Sequence, residues 1–98
     1  MYVVRDIFNL KYGHFRPVKA MMEEARKSGM MPEAANSRML SDFTGDAYRL
    51  IMEITYDSLS DFEKELSKDM SKPEFQEWYK KFTEHVISGH REILKVIM

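Results

Sequence analysis

The sequence contains no cysteine. Without thiols the chain can form neither disulfides nor thiolate metal sites, and it cannot use a cysteine nucleophile. A chain with no cysteine fits a reducing compartment, so we expect a cytoplasmic location.

An excess of charge of either sign is also missing. Lysine and arginine number 15 against 16 aspartates and glutamates, for a net charge of -1. Proteins that bind nucleic acid present surplus basic residues to the phosphates, so we expect no nucleic-acid partner. The apolar N-terminal run "MYVVRDIFNL" is interrupted by Arg5 and Asp6, which argues against a signal peptide and a membrane partner.

Motifs that bind cofactors are missing as well. The sequence has no glycine-rich phosphate loop, no serine elbow and no dinucleotide fingerprint. His14 and His90 have neither the H-x-x-x-H spacing nor an adjacent carboxylate set that a metal site requires. We therefore expect neither a cofactor nor a metal ion.

What is present is the composition of one soluble globular domain, residues 1–98, with 44% apolar and 32% charged residues. A chain of this length buries only about 65% of the surface that it exposes when unfolded. Its core is therefore thin, and a partner chain would help to complete it.

The strands are predicted from alternation of apolar residues. Tyr2–Leu10 reads as a strand whose even positions are apolar except for Asp6, and Tyr48–Tyr56 alternates in the same way. A shorter strand is predicted at Ser37–Phe43. Loops are predicted at 30–35 and, because of Gly45, at 44–47.

The helices are predicted from spacings of three and four residues. The first follows His14 with Pro17 in its first turn and Gly29 as its stop. The second is capped by Ser58 or Ser60, and its charged stretch "EKELSKD" is interpreted as a solvated face. The third starts at Pro73 and ends near Gly89, and "REILKVIM" forms a final strand.

This order, β-α-β-β-α-α-β, predicts an α+β, ferredoxin-like fold with an antiparallel sheet and helices on one face. The other sheet face would lie bare in a monomer, and exposed apolar surface of this kind marks an interface. We therefore predict a homodimer in which arginine and glutamate side chains pair across the two-fold axis. The face consists of Val3, Arg5, Ile7, Asn9, Arg49, Ile51, Glu53 and Thr55.

The element order, "DIFNLKYG", "DFTGDAYRLIMEITYDSLSDFE" and "EWYKKFTEHVISGHREILKVI" together resemble the dimeric α/β-barrel superfamily, nearest to its NIPSNAP-like group. The resemblance covers nearly the whole chain in pattern and length. It implies a closed barrel made by two paired chains, each with a pocket between its sheet and its helices. Members include cofactor-free monooxygenases, haem-degrading monooxygenases and lactone isomerases. Asp6 stands where the haem-degrading members have an asparagine, and Trp78 and His85 fall later than the family pair, so haem is not expected.

Asp6 is the strongest candidate for a catalytic residue. If the even face of its strand meets the helices, the carboxylate is buried among apolar groups, where the protonated form is favoured unless a cation is near. Asp6 is then a candidate general base. The alternative is a structural group that forms a salt bridge to Arg38 or a hydrogen bond to His85 or a tyrosine.

Trp78 and His85 are seven residues apart on the predicted third helix, so they share one edge of its apolar stripe. They are either satisfied packing residues or the polar edge of a pocket that orients a substrate oxygen. Tyr48, Met52 and Tyr56 would line the pocket floor. Met22 is a further lining candidate, because methionine serves both as core filler and in adaptable pockets.

These residues support a homodimer that binds a small, mostly apolar or aromatic molecule and acts on it without a cofactor, as a monooxygenase or isomerase. Asp6 and His85 are the candidate catalytic residues. The alternative is a non-enzymatic interaction domain whose pocket is filled by its own phenylalanine, methionine and tryptophan side chains.

Overall fold

The computed structural model describes residues 1–30, 36–45 and 48–98. It confirms the predicted α+β, ferredoxin-like arrangement and the predicted order of elements. The predicted turn at 44–47 and the predicted loop at 30–35 lie in part outside the described residues. In chain order the elements are β1 (Tyr2–Leu10), α1 (Phe15–Lys27), β2 (Ser37–Ser41), β3 (Arg49–Tyr56), α2 (Leu59–Met70), α3 (Pro73–Thr83) and β4 (Val86–Lys95).

The four strands form one antiparallel sheet in the order β2-β3-β1-β4. Asp6 in the central strand β1 lies opposite Met52 on one side and Arg91 on the other. Residues directly opposite each other point to the same face of a sheet. The predicted parity is therefore correct, because the even positions of β1 face the helices, and this face is called the inner face below.

The core lies where α1 and α3 cover the inner face. Its buried members come from strands and helices alike and are Leu10, Val18, Met22, Leu50 and Phe82. The ring of Phe82 meets the edge of Phe8 at a centroid distance of 4.9 Å and an angle of 90°. This contact fixes α3 against the centre of the sheet, since aromatic pairs favour such edge-to-face geometry.

The boundary between α3 and β4 differs from the prediction. The helix ends at Thr83 and the strand begins at Val86, so Gly89 lies within β4 and does not end a helix. Gly89 sits opposite Phe8. A Cβ atom at this position would lie 3.0 Å from Cδ1 of Phe8, so the ring occupies the space that a side chain would need.

The opposite, outer face of the sheet carries an ion-pair network formed within the chain. Glu53 accepts from Arg5 Nη2 at 3.0 Å and from Arg38 Nη2 at 2.8 Å. Ile7 and Glu53 are already buried within the single chain, at 6% and 8% exposure, whereas this face was predicted to lie bare in a monomer.

None of the helices in the described part of the chain has the length and apolar character that crossing a bilayer requires.

Candidate functional site

A cavity of about 340 Å³ lies between the inner face of the sheet and the three helices. Its floor comes from the central strands and its roof from α1, α2 and α3. The apolar floor is made by Val4, Phe8, Met52 and Ile54, and the roof includes Met22, Ala25, Leu66 and Met70. Alternation along β1 and β3 creates this floor, because every second residue points towards the helices.

Aromatic rings from α3 form one wall. Trp78 stacks on Phe82 at a centroid distance of 5.3 Å and an angle of 8°, and Phe75 stacks on Tyr79 at 5.9 Å. The indole Nε1 of Trp78 donates a hydrogen bond to the carbonyl of Met21 at 3.4 Å. The indole N–H is thus satisfied by α1, and the ring presents apolar surface to the cavity.

An ion pair stands in the lining. Arg91 Nε donates to Asp6 Oδ1 at 2.6 Å, and the Arg91 guanidinium lies over the ring of Phe62, 5.2 Å from its centroid. Asp6 therefore pairs with neither Arg38 nor His85, the two named partners expected from the sequence. The register of β1 against β4 explains this, because it places Asp6 and Arg91 directly opposite each other.

Tyr56 lies half-buried at the end of β3, where the carboxylate of Glu65 in α2 acts on its hydroxyl. Burial raises the pKa of Tyr56 far above its ordinary value of 10.0, and the negative charges of Glu65, Asp69 and Asp6 raise it further. Tyr56 is therefore a neutral hydroxyl close to several carboxylates.

Five of the seven candidate residues come together in the lining of this cavity, namely Asp6, Met22, Met52, Tyr56 and Trp78. Tyr48 and His85 do not. The φ angle of Tyr48 is 56°, so the alternation of β3 does not extend to it, and its ring packs on Tyr12 at 4.8 Å. The expectation that Tyr48 lies on the cavity floor is therefore wrong.

His85 lies in the turn after α3 and not on the helix, so the predicted shared edge with Trp78 is wrong. Its Nδ1 atom is 2.9 Å from Nδ1 of His14, at the start of α1. One nitrogen must donate and the other accept, so this contact holds a single hydrogen between the two rings. It joins the beginning of α1 to the turn between α3 and β4.

A metal site is not formed by these residues. Within 1–30, 36–45 and 48–98, no group of three or more histidines and carboxylates is arranged to hold a metal ion. His14 and His85 supply two nitrogens only.

Two charged residues of the cavity were missed from the sequence, Arg91 and Asp69. Arg91 was assigned to a strand beginning five residues too late, so its register with Asp6 could not be predicted. Asp69 follows Leu66 by three residues and thus shares its side of α2, a spacing that could have indicated that Asp69 is not fully solvated.

Comparison with known proteins gives matches in structure only. The chain matches no protein-family model, and no curated protein sequence matches it. A NIPSNAP-like domain protein from Burkholderia xenovorans has a TM-score of 0.87 and 17% identity over 98% of this chain and 84% of that one. A NIPSNAP family protein from Agrobacterium tumefaciens has a TM-score of 0.85 and 18% identity over 96% and 90% of the two chains.

The chain has the fold of the NIPSNAP-family proteins. The same fold extends to an antibiotic biosynthesis monooxygenase, with a TM-score of 0.73 and 13% identity over 100% of both chains. The resemblance found in the sequence is therefore confirmed at the level of fold. Identities this low establish no shared activity, because one fold hosts many functions.

Proposed function

We propose that the protein binds a small, mostly apolar organic molecule in the cavity between sheet and helices. The cavity itself carries the proposal. Its volume of about 340 Å³ falls within the range of about 300–1,000 Å³ that small-molecule sites occupy. Apolar and aromatic side chains dominate its lining, and a few polar groups converge on it, which is the usual composition of such a site.

The cavity also favours a binding protein over the alternative, an interaction domain with a filled core. Phe8, Phe82 and Trp78 are packed against one another, yet the space beside them stays open. A chain selected only for pairing has no reason to retain such a void, because voids in close-packed interiors lower stability.

We propose further that the chain acts on the bound molecule without a cofactor, with Asp6 handling the proton. Arg91 engages Oδ1 of Asp6, which leaves Oδ2 to meet the substrate. In a monooxygenase reaction a substrate CH₂ group would lose a proton to Asp6, and the carbanion would react with O₂. Loss of water then leaves a carbonyl, so that the carbon is oxidised and O₂ is reduced. In an isomerase the same proton would return to another carbon. His85 has no part in this scheme, since it lies outside the cavity lining.

The functional unit that we propose is a homodimer paired through the outer faces of two sheets. The apolar side chains of this face that remain accessible support the pairing, with Leu40 at 36% and Leu94 at 43% exposure. Strand pairing places Leu40 beside Ile51, and Leu94 beside Val3, on the same face.

Native mass spectrometry of the freshly purified protein tests the binding proposal, with the denatured mass as the control. The expected result is a non-covalent small-molecule mass on the wild type. Leu66→Trp should narrow the cavity and reduce the share of protein that carries that mass. Leu59→Trp, on the exposed side of the same helix, should retain it.

The captured compound then serves as the substrate for the second step. Incubation in air should change its mass with the wild type and leave it unchanged with Asp6→Asn, while circular dichroism shows that the variant is folded. Full turnover by Asp6→Asn would exclude Asp6 as the base. Equal retention of the compound by Leu66→Trp would place the binding site elsewhere.

A further inference from the structure

The charges around the cavity carry an inference about its ligand. The lining contains two carboxylates, Asp6 and Asp69, and among the lining residues that the structure describes Arg91 is the one cationic side chain. Arg91 is already engaged, because its Nε lies 2.6 Å from Asp6. One negative charge, that of Asp69, is therefore left over within the lining.

Asp69 forms an ion pair with Lys72, which lies outside the lining. Lys72 Nζ is 3.9 Å from Asp69 Oδ1, and the side chain of Lys72 is 40% exposed. An ion pair this long and this accessible to water contributes little. Asp69 thus keeps most of its capacity to bind another cation, and its own side chain is only 26% exposed.

The aromatic wall favours the same kind of ligand. The face of an aromatic ring carries partial negative charge, so it attracts cations and repels anions. The structure already contains one such contact, with the guanidinium of Arg91 over the ring of Phe62 at 5.2 Å. Trp78, Phe75 and Tyr79 add further rings to the wall.

The same carboxylates act on Tyr56, which lies with Asp6 and Asp69 in the lining of the cavity. After burial, the causes that raise the pKa of its hydroxyl are the negative charges of Glu65, Asp69 and Asp6. A group that resists becoming negative at this position indicates that a ligand carboxylate would be disfavoured there as well.

We infer that the cavity takes an apolar amine in its protonated form, with the ring system against the aromatic wall and the ammonium group beside Asp69. This inference rests on the proposed function and adds the charge of the ligand to it. A ligand carboxylate would have to displace Asp6 from Arg91 and would also face Asp69. An ammonium group beside Asp69 leaves the pair of Asp6 and Arg91 in place and competes only with the long, exposed contact from Lys72.

Three probes with the same naphthalene ring system test the inference. Their binding is measured by isothermal titration calorimetry at about pH 7, where an alkylamine is protonated. The probes are naphthylmethylamine, which is cationic, naphthylmethanol, which is neutral, and naphthoate, which is anionic. We expect the amine to bind about tenfold more tightly than the alcohol. We expect naphthoate to bind most weakly.

Two variants locate the effect. Asp69→Asn removes the negative charge of Asp69 at nearly constant shape and should reduce the preference for the amine over the alcohol to less than about threefold. Asp57→Asn is the matched control, because Asp57 is exposed and lies outside the cavity lining. It changes the net charge equally and should leave the preference intact.

The outcomes separate the inference from the function on which it rests. Equal or tighter binding of naphthylmethanol or naphthoate would overturn the cationic ligand but leave an apolar binding site. An unchanged preference in Asp69→Asn would overturn the role of that carboxylate. If none of the three probes binds the wild type, the proposed binding function fails and the inference fails with it.

Discussion

Glu53 shows how one residue of the outer sheet face depends on its neighbours. Its carboxylate is buried and is held by Arg38 and Arg5 from the two flanking strands. Burial alone would raise the pKa of Glu53, but the hydrogen bonds and charges of Arg38 and Arg5 outweigh it and hold the pKa below its ordinary value of 4.5. The folded chain therefore favours the charged form.

The sign of this shift predicts how stability depends on pH. A carboxyl whose pKa is lower in the folded chain contributes stability above its ordinary pKa, and that contribution is lost as pH falls through the folded pKa. At about pH 7, Glu53→Gln should cost about 2 kcal/mol, the scale of hydrogen bonds to a charged group. The difference in the free energy of unfolding between the wild type and Glu53→Gln should become smaller below pH 4.5.

Urea unfolding at about pH 7 and about pH 3, at one fixed protein concentration, measures both quantities. Glu92→Gln is the control, because Glu92 meets the same Arg5 at 3.7 Å but its side chain is 42% exposed. It should cost less than about 1 kcal/mol. If the difference in the free energy of unfolding between the wild type and Glu53→Gln does not change with pH, the pKa of Glu53 is not lowered in the folded chain.

For individual residues, the sequence predicted which side chains line the cavity more successfully than it predicted their hydrogen-bond and ion-pair partners. Parity along β1 placed Asp6 on the inner face correctly, since alternation is a local property of a strand. Its partner Arg91 depends on the register between strands 85 residues apart in sequence. No local pattern encodes that register.

Among the elements, α2 has the clearest start. Ser58 is its N-cap, with an extended backbone, and its hydroxyl accepts from the amide of Asp61 at 3.2 Å. The sequence left Ser58 and Ser60 as alternatives, and the structure selects Ser58. An N-cap side chain satisfies an amide that the helix itself leaves without a partner.

We expect Ser58→Ala to lower the free energy of unfolding by about 1 kcal/mol, the usual value of an N-cap. Ser60→Ala makes the same substitution at an exposed position two residues later and should change stability by no more than about 0.5 kcal/mol. Equal losses in both variants, measured by urea unfolding, would show that the cap hydrogen bond contributes nothing.

The predicted end of α3 was wrong because of the apolar spacing along the helix and the strand that follows it. Phe82 and Val86 are four residues apart, so the apolar spacing of the helix continues into the strand that follows it. Gly89 then resembled a helix stop. Its actual role is to leave room for the ring of Phe8 on the neighbouring strand, which is a tertiary contact that the periodicity of one segment cannot reveal.

For the whole molecule, the order of elements was enough to predict the fold, because alternating strands and amphipathic helices in this order have few ways to bury their apolar sides. The open cavity could not be predicted in the same way. The sequence shows which side chains face inwards, but not whether their volumes fill the space between sheet and helices.

The proposed homodimer gives a prediction at this scale. Ile51→Glu would bury a charge between the two outer faces, so it should convert a dimer into a monomer at micromolar concentration by light scattering. Leu59→Glu, on the exposed surface of α2, should leave the dimer intact. A wild type that scatters as a monomer would contradict the proposal outright.

The position of Trp78 allows ligand binding to be followed by intrinsic tryptophan fluorescence. It is the sole tryptophan of the chain, its ring stacks on Phe82 and it lines the cavity. Selectively excited indole emission therefore arises from the cavity wall and from nowhere else in the molecule. A compound that enters the cavity should change the wavelength or the intensity of this emission. A chemical library can therefore be screened on the unlabelled protein.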